Sequence, residues 1–188
     1  MANQISILGF AGSLRKGSYN KALLRAAMEV LPKDAKLEIF DLEGIPPFNQ
    51  DFENNPPQKV KDFKAKIKAA DALLIATPEY NYSVSGVLKN AIDAASRPFG
   101  DNPFNDKPVG ILSASIGPFG AAKAQYHLRQ ICVTLNMHPM NAPEFFLTNA
   151  TEKFDDKGKL KDQQTREILK LVLQYLVNWT RRLKGNAD

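Results

Sequence analysis

The sequence of 188 residues has few of the residue types that catalytic and metal sites commonly use. Its single cysteine, Cys132, excludes an intramolecular disulfide and a cysteine-based zinc site. Cys132 stands in an apolar helical pattern, which predicts a buried, small hydrophobic side chain. The two histidines, His127 and His138, belong to no motif, and we interpret both as structural. The residues therefore indicate no Ser/His/Asp triad and no metal site.

Long hydrophobic runs are also missing. No apolar segment reaches the length needed to span a membrane, and the N-terminus lacks the basic and apolar segments of a secretory signal. We therefore expect a cytoplasmic protein without membrane contact. The composition, 44% hydrophobic and 24% charged without repeats, is typical of globular proteins. The length predicts one domain spanning residues 1–188.

The net charge of +5 is spread along the chain. The densest group of cations alternates at helical spacing with Val60, Phe63 and Ile67, which predicts the solvated face of an amphipathic helix. These cations are Lys59, Lys61, Lys64, Lys66 and Lys68. No aromatic interleaving or known motif accompanies them, so we expect no nucleic-acid partner, although the charge can attract anionic substrates.

Short apolar runs alternate with helical patterns along the whole chain. Strand patterns cover residues 4–10, 36–41, 71–77, 108–115 and, broken by two prolines, 138–147. Helical patterns cover residues 18–31, 86–96, 120–135 and 161–183. A further helical pattern, rich in lysine, follows the proline-rich loop 44–57 and ends at Ala70. This alternation predicts a three-layer, doubly wound α/β fold with a five-stranded parallel sheet. Ligands of such sheets lie beyond the carboxyl ends of the strands, so the loops there are the candidate sites.

The loop after the first strand reads GSLRKGSYN, from Gly12 to Asn20. It lacks the lysine and the magnesium-binding hydroxyl of a nucleotide P-loop, and it does not have the dinucleotide glycine fingerprint. Backbone N–H groups at a helix start can surround a terminal phosphate monoester without metal. The side chains that can join them are Ser13, Arg15, Ser18 and Asn20. The alternative is a plain helix N-cap at Ser18.

The loop after the third strand, residues 77–86, contains a proline, two tyrosines and several hydrogen-bonding side chains. Tyr82 offers an aromatic face and the loop amides can bond a ring edge, which favours a platform for a flat heteroaromatic ring over a plain loop. At the end of the fourth strand, Ser113 and Ser115 precede a third polar turn, residues 116–120, which leads into a helix. Three loops able to bind a ligand at one edge of the sheet indicate a common site.

These motifs resemble the NADPH-dependent FMN reductase family, which has a flavodoxin-like fold and includes quinone and chromate reductases. The resemblance rests on GSLRKGSYN, on PEYNYSVSGVLKNAIDAASRP and on the segment from Ser115 to Arg129, and it extends over nearly the whole chain. One departure is the turn Pro118-Phe119-Gly120, where family members often have two glycines.

The resemblance implies bound FMN, with NADPH or NADH as the electron donor. It implies phosphate contacts at Ser13, Arg15, Ser18 and Asn20. It also implies a loop along the isoalloxazine ring formed by Pro78, Glu79, Tyr80 and Asn81, with Ser115 in the turn beyond the fourth strand. Quinones, chromate, azo compounds and free flavin are the implied acceptors. Because the cofactor carries the chemistry, no catalytic side chain is expected.

The resemblance further implies a homodimer or homotetramer. Tyr126, Arg129 and Glu144 resemble positions of an inter-subunit contact in some members, and an intrachain ion pair is the alternative. The last helix is apolar on nearly all sides, which suggests deep packing or a subunit interface.

Two other functions can be weighed against the reductase. A flavodoxin-type electron carrier would bind FMN without a pyridine-nucleotide reaction of its own, but such carriers are typically acidic and this chain is basic. A nucleotide-phosphate hydrolase would need the P-loop lysine and magnesium ligands that the chain lacks.

Overall fold

The structure, a computed structural model, describes residues 4–185. The strands are β1 (Ile5–Ala11), β2 (Ala35–Phe40), β3 (Ala72–Thr77), β4 (Glu79–Tyr80), β5 (Ser83–Val84), β6 (Pro108–Ala114), β7 (His138–Pro139) and β8 (Phe145–Leu147). The helices are α1 (Tyr19–Glu29), α2 (Gln58–Ala69), α3 (Gly86–Ala95), α4 (Ala122–Thr134), α5 (Ala150–Lys153) and α6 (Gln163–Leu183), with a 3-10 turn at Gln50–Phe52. The predicted domain of residues 1–188 extends beyond the described residues at both ends.

The central sheet confirms the predicted doubly wound fold. Its order is β2-β1-β3-β6, followed by β7 and β8, which both pair with β6, and all these pairings are parallel. The sheet therefore has five strand positions, and the short strands β7 and β8 share the fifth. Pro139 and Pro143, which lack the N–H group that a continuous strand would donate, lie at this interruption. The winding direction reverses between β1 and β3, where such sheets bind ligands at the carboxyl edge.

Alternate side chains of β1 point into two cores on opposite faces of the sheet. Ile7 packs in the core that α1 and α6 cover. Leu8 and Phe10 pack in the core that α2, α3 and α4 cover, where the Phe10 ring meets the Phe63 ring edge-on at 5.1 Å between centroids. Both sheet faces are thus covered, which leaves the sheet edge and its loops for ligands.

The prediction of a solvated lysine face on α2 is wrong for Lys64. This side chain is buried, and its ammonium group donates to the backbone carbonyl of Arg97 and pairs with Asp101 at 2.8 Å. The segment that follows α3 supplies these two partners. The stem of Lys64 is therefore covered while its charge is satisfied.

Helix α6 begins at Gln163, because Asp162 accepts a hydrogen bond from the amide of Thr165 at 2.8 Å and so caps the helix. One face of the helix is buried against the sheet. The helix also leaves four large apolar side chains exposed: Ile168, Leu171, Tyr175 and Leu183. Within residues 4–185, no helix combines the length and the apolar character that crossing a membrane requires.

Candidate functional site

The loop between β1 and α1 presents backbone donors that no protein group uses. The amide of Gly12 still donates to the Ala76 carbonyl at 2.9 Å. Beyond it, four loop amides find no acceptor within residues 4–185, namely those of Ser13, Leu14, Lys16 and Gly17. Helix α1 follows directly, and its first N–H groups are also free of intrahelical partners. This is the arrangement that binds an anion at a helix N-terminus.

Three of the four side chains predicted around the phosphate lie at this loop with distinct roles. Ser13 is buried, and its hydroxyl oxygen accepts from the amide of Arg15 at 3.4 Å. Ser18 caps α1 by accepting from the amide of Lys21 at 3.3 Å, as in the N-cap alternative. Arg15 is exposed, and its guanidinium donates to the Gly17 carbonyl at 2.6 Å. Four of the five guanidinium N–H groups remain for other acceptors.

Asn20 is placed differently from the other three. Its buried amide group donates to the Ala114 carbonyl and accepts from the Ala114 amide, both at 3.0 Å. This pair of bonds fastens the first turn of α1 to the end of β6. The side chain therefore positions the loop through the backbone of a neighbouring strand.

The loop after β3 forms a tight hairpin, an arrangement that the sequence pattern did not predict. Glu79–Tyr80 and Ser83–Val84 pair as antiparallel strands around the two-residue turn Asn81-Tyr82. Both turn residues have positive φ angles, 50° and 64°, as a type I′ turn requires. A bulky residue such as Tyr82 rarely adopts this conformation, so the turn carries backbone strain.

Glu79 joins this hairpin to α4. Its Oε2 accepts a hydrogen bond from the amide of Ala124 at 3.2 Å, in the first turn of α4. The residue at the N-cap position, Ala121, has no side chain that can cap the helix, so a carboxylate from a distant loop takes that role. The geometry gives Glu79 a backbone-supporting contact.

Ser85 joins the two main loops. Its hydroxyl donates to the Gly12 carbonyl at 2.6 Å and accepts from the Leu88 amide at 3.1 Å, where it caps α3. A Cβ atom at Gly12 would lie 2.8 Å from the Ser85 oxygen and 3.1 Å from Cδ of Pro78. The close approach of the loops therefore requires glycine at this position.

The turn after β6 is held from both sides. The Ser115 amide donates to the Leu147 carbonyl at 3.0 Å, and its hydroxyl oxygen accepts from the Gly117 amide at 3.1 Å. The buried hydroxyl of Ser113 donates to the Gly120 carbonyl at 2.5 Å. Both serines therefore shape the turn itself.

Large apolar side chains are exposed on all three loops at this edge of the sheet. They are Leu14, Tyr80, Tyr82, Ile116 and Phe119. Burial of such side chains is favourable, so their common location beside free backbone donors suits a ligand with an anionic end and a flat apolar ring.

The residues proposed for a subunit contact meet within one chain. Arg129 donates to the Met140 carbonyl at 2.8 Å and lies 3.8 Å from a carboxylate oxygen of Glu144. The Tyr126 hydroxyl is 3.4 Å from the other oxygen of that carboxylate. The intrachain alternative is thus realised in the described chain.

The two histidines contact polar protein groups, and the cysteine lies in the core. His127 Nδ1 lies 2.9 Å from the Ser83 hydroxyl oxygen, and His138 Nε2 lies 3.2 Å from a carboxylate oxygen of Asp106. Cys132 is fully buried, and burial raises the pKa of its thiol to about 12. Its position confirms the prediction of a small core residue.

The chain is similar in sequence to known proteins. Residues 5–152 match the family model described as NADPH-dependent FMN reductase. An NAD(P)H-dependent FMN reductase of Pseudomonas aeruginosa is 51% identical over 186 residues, covering 98% of this chain and 100% of the relative. An NAD(P)H:quinone oxidoreductase of Solanum tuberosum is 47% identical, covering 98% of this chain and 97% of the relative.

A solved structure resembles the whole fold. The flavoenzyme NAD(P)H:(acceptor) oxidoreductase FerB of Paracoccus denitrificans superposes with a TM-score of 0.87 at 31% identity, covering 95% of this chain and 98% of that chain. The flavodoxin-like fold is therefore confirmed. Together with the family match, this similarity shows that the chain belongs to the NADPH-dependent FMN reductase family, oxidoreductases that use FMN with NAD(P)H as the electron donor.

Proposed function

We propose that the three loops at the carboxyl edge bind FMN and that the protein passes electrons from NADPH or NADH to quinones. The observation that carries this proposal is the set of unused amides in the loop after β1, next to exposed apolar side chains of the neighbouring loops. A phosphate monoester can accept hydrogen bonds from these amides, and an isoalloxazine ring can pack against the apolar side chains.

The phosphate end of FMN is assigned to the loop between β1 and α1. The free amides, the hydroxyls of Ser13 and Ser18 and the guanidinium of Arg15 supply neutral and charged donors for a dianion. Ser18 can hold its cap and still donate its hydroxyl proton. Asn20 serves this site as a positioning residue, since its amide is bonded to Ala114.

The ring of FMN is assigned to the loops after β3 and β6. Tyr80 supplies exposed apolar surface, while buried Pro78 packs beside Gly12 where the two loops meet. Asn81 supplies backbone groups of the turn, and Ser115 orders the turn after β6. Glu79 keeps the hairpin against α4. These contacts fix the loops before a ligand arrives, which lowers the ordering cost of binding.

Bound FMN would supply two-electron chemistry, and the side chains would supply position and electrostatics. The balanced reaction converts a quinone, NAD(P)H and one proton into a hydroquinone and NAD(P)⁺. The relatives named as quinone oxidoreductases and quinone reductases support quinones as acceptors. Chromate, azo compounds and free flavin are further acceptors that an exposed flavin can reduce.

An anaerobic titration tests this function. Protein loaded with FMN should lose its yellow colour on addition of NADPH or NADH and recover it when a quinone is added. Colour that persists with both nucleotides would indicate a carrier of flavodoxin type. Protein that binds no FMN would contradict both flavin functions.

We further propose a cytoplasmic homodimer or homotetramer. Helix α4 exposes Tyr126 and Val133, and Nε of Arg129 is buried without a hydrogen-bond partner in residues 4–185. Replacement of Arg129 by alanine should lower the molar mass measured by light scattering. An unchanged mass at low micromolar concentration would restrict Arg129 to its intrachain contacts.

A further inference from the structure

A lysine lies between two exposed aromatic rings at the candidate site. Nζ of Lys123 is 3.3 Å from the centroid of the Tyr82 ring and 4.9 Å from that of the Phe119 ring. The two aromatic residues are 66% and 65% exposed, whereas Lys123 is half-buried. A cation and two exposed aromatic side chains thus lie together at the loops after β3 and β6.

The backbone holds these three residues in place. Tyr82 occupies the strained second position of the hairpin turn, with φ of 64°. Glu79, in the same hairpin, bonds the amide of Ala124, the residue after Lys123. Phe119 lies in the turn that leads into α4, where its carbonyl accepts from the Ala122 amide at 3.0 Å. The arrangement therefore depends on fixed turns as well as on side-chain rotamers.

In the described part of the chain, the charge of Lys123 has no acidic partner. None of the ion pairs formed within residues 4–185 includes it, and the Glu79 carboxylate of the neighbouring hairpin accepts from the Ala124 amide. An ammonium group that is partly removed from water gains most from an anion. The neighbouring rings favour contact with another flat ring.

We propose that Tyr82, Phe119 and Lys123 form an acceptor site that selects planar aromatic acceptors carrying a negative charge, such as deprotonated hydroxyquinones or quinone sulfonates. This inference rests on the proposed function and adds the class of acceptor. The overall reaction is still the conversion of a quinone, NAD(P)H and one proton into a hydroquinone and NAD(P)⁺. The negative group of the acceptor contributes to binding and takes no part in electron transfer.

The matched substrates for the test are naphthoquinone and naphthoquinone sulfonate, with FMN-loaded protein. Lys123→Met should lower kcat/KM for the sulfonate about tenfold and change that for the neutral quinone less than about twofold, as expected for the loss of one charge-assisted contact. Lys123→Arg should retain the preference. Lys89→Met, which removes an exposed lysine paired with Asp93 on α3, is the matched control and should change neither value.

Equilibrium binding provides a readout that does not depend on turnover. Calorimetric titration of the oxidised, FMN-loaded protein with naphthoquinone sulfonate should show about tenfold weaker binding for Lys123→Met. Added salt should weaken binding to the wild type more than to this variant.

The results distinguish a failure of the selection by charge from a failure of the reductase function. Equal losses for the two quinones, or none for the sulfonate, would overturn the selection by charge while the reductase function stands. A wild-type protein that reduces neither quinone with either nucleotide would contradict the proposed function, and this inference with it.

Discussion

The hydroxyl of Ser85 donates a hydrogen bond of 2.6 Å to the carbonyl oxygen of Gly12, 73 residues earlier in the chain. The same hydroxyl oxygen caps α3 by accepting from the Leu88 amide. One buried side chain therefore connects the loop proposed for the FMN phosphate to the helix that follows the loop proposed for the ring.

Replacement of Ser85 by alanine removes both bonds and leaves the Gly12 carbonyl unpaired. We expect the free energy of unfolding to fall by about 1–3 kcal/mol, with weaker FMN binding because the loops lose their connection. Ser96→Ala is the control, since among the described residues that hydroxyl hydrogen-bonds only to the Asp93 carbonyl, at the other end of α3. Denaturant unfolding of both variants measures the difference. Equal losses would show that the connection contributes no more than an ordinary hydroxyl.

Gly12→Ala places a methyl group into the contact between the loops. Its Cβ would lie 2.8 Å from the Ser85 oxygen and 2.9 Å from Leu88 Cβ. We expect a loss of roughly 1–3 kcal/mol in unfolding free energy from the overpacking. At Gly86 a Cβ meets nothing within 4 Å, so Gly86→Ala should be neutral or slightly stabilising. Thermal unfolding without FMN tests the pair, and a tolerated Gly12→Ala would contradict the close approach.

Asn20→Asp tests whether this residue positions the loop. The new carboxylate would face the Ala114 carbonyl without an N–H group to offer, so we expect a loss of at least about 1–3 kcal/mol in the absence of any flavin. Asn90 makes the same pair of backbone bonds, to the Pro46 carbonyl and the Phe48 amide, at a more exposed position. Asn90→Asp should therefore cost less. An effect of Asn20→Asp on FMN affinity alone would instead make Asn20 a direct phosphate ligand.

Asp162 gives the fold a measurable response to acid. The hydrogen bonds from Thr165 and Lys153 lower the pKa of this carboxyl from 3.8 to about 2. Because the folded state depresses the pKa, its contribution is complete above about pH 4 and is lost as the pH falls toward 2. The stability difference between wild type and Asp162→Asn should therefore shrink over that interval. A difference that stays constant from pH 5 to pH 2 would contradict the assigned contacts.

Much of the architecture could be predicted from the sequence. The alternation of buried strands with helices sets the order of elements, and parallel strands bring their following loops to one edge. The segments at Gly12, Pro78 and Ser115 could therefore be assigned to one site before any contact was known.

The contacts that join these loops could not be predicted, because they link residues far apart in the chain and leave no local period. Ser85 bonds Gly12, and Glu79 caps a helix 45 residues later. The hairpin turn at Asn81-Tyr82 lacks the glycine that usually marks a type I′ turn. The helical spacing alone predicts a solvated Lys64, because its partners Arg97 and Asp101 belong to a distant segment.

Binding of the FMN phosphate by the loop after β1 predicts different affinities of FMN and riboflavin for wild type and Arg15→Ala. Riboflavin has the same ring and no phosphate. Loss of the Arg15 guanidinium should weaken FMN binding about ten- to a hundredfold and leave riboflavin binding nearly unchanged.

Lys16→Ala is the control, since it removes a neighbouring exposed cation, and unchanged thermal midpoints would show that both variants are folded. The dissociation constants, measured by quenching of flavin fluorescence, decide the outcome. A selective loss of FMN affinity in Arg15→Ala is the predicted result. Equal losses for FMN and riboflavin, or no loss for FMN, would contradict the assignment of the phosphate to Arg15.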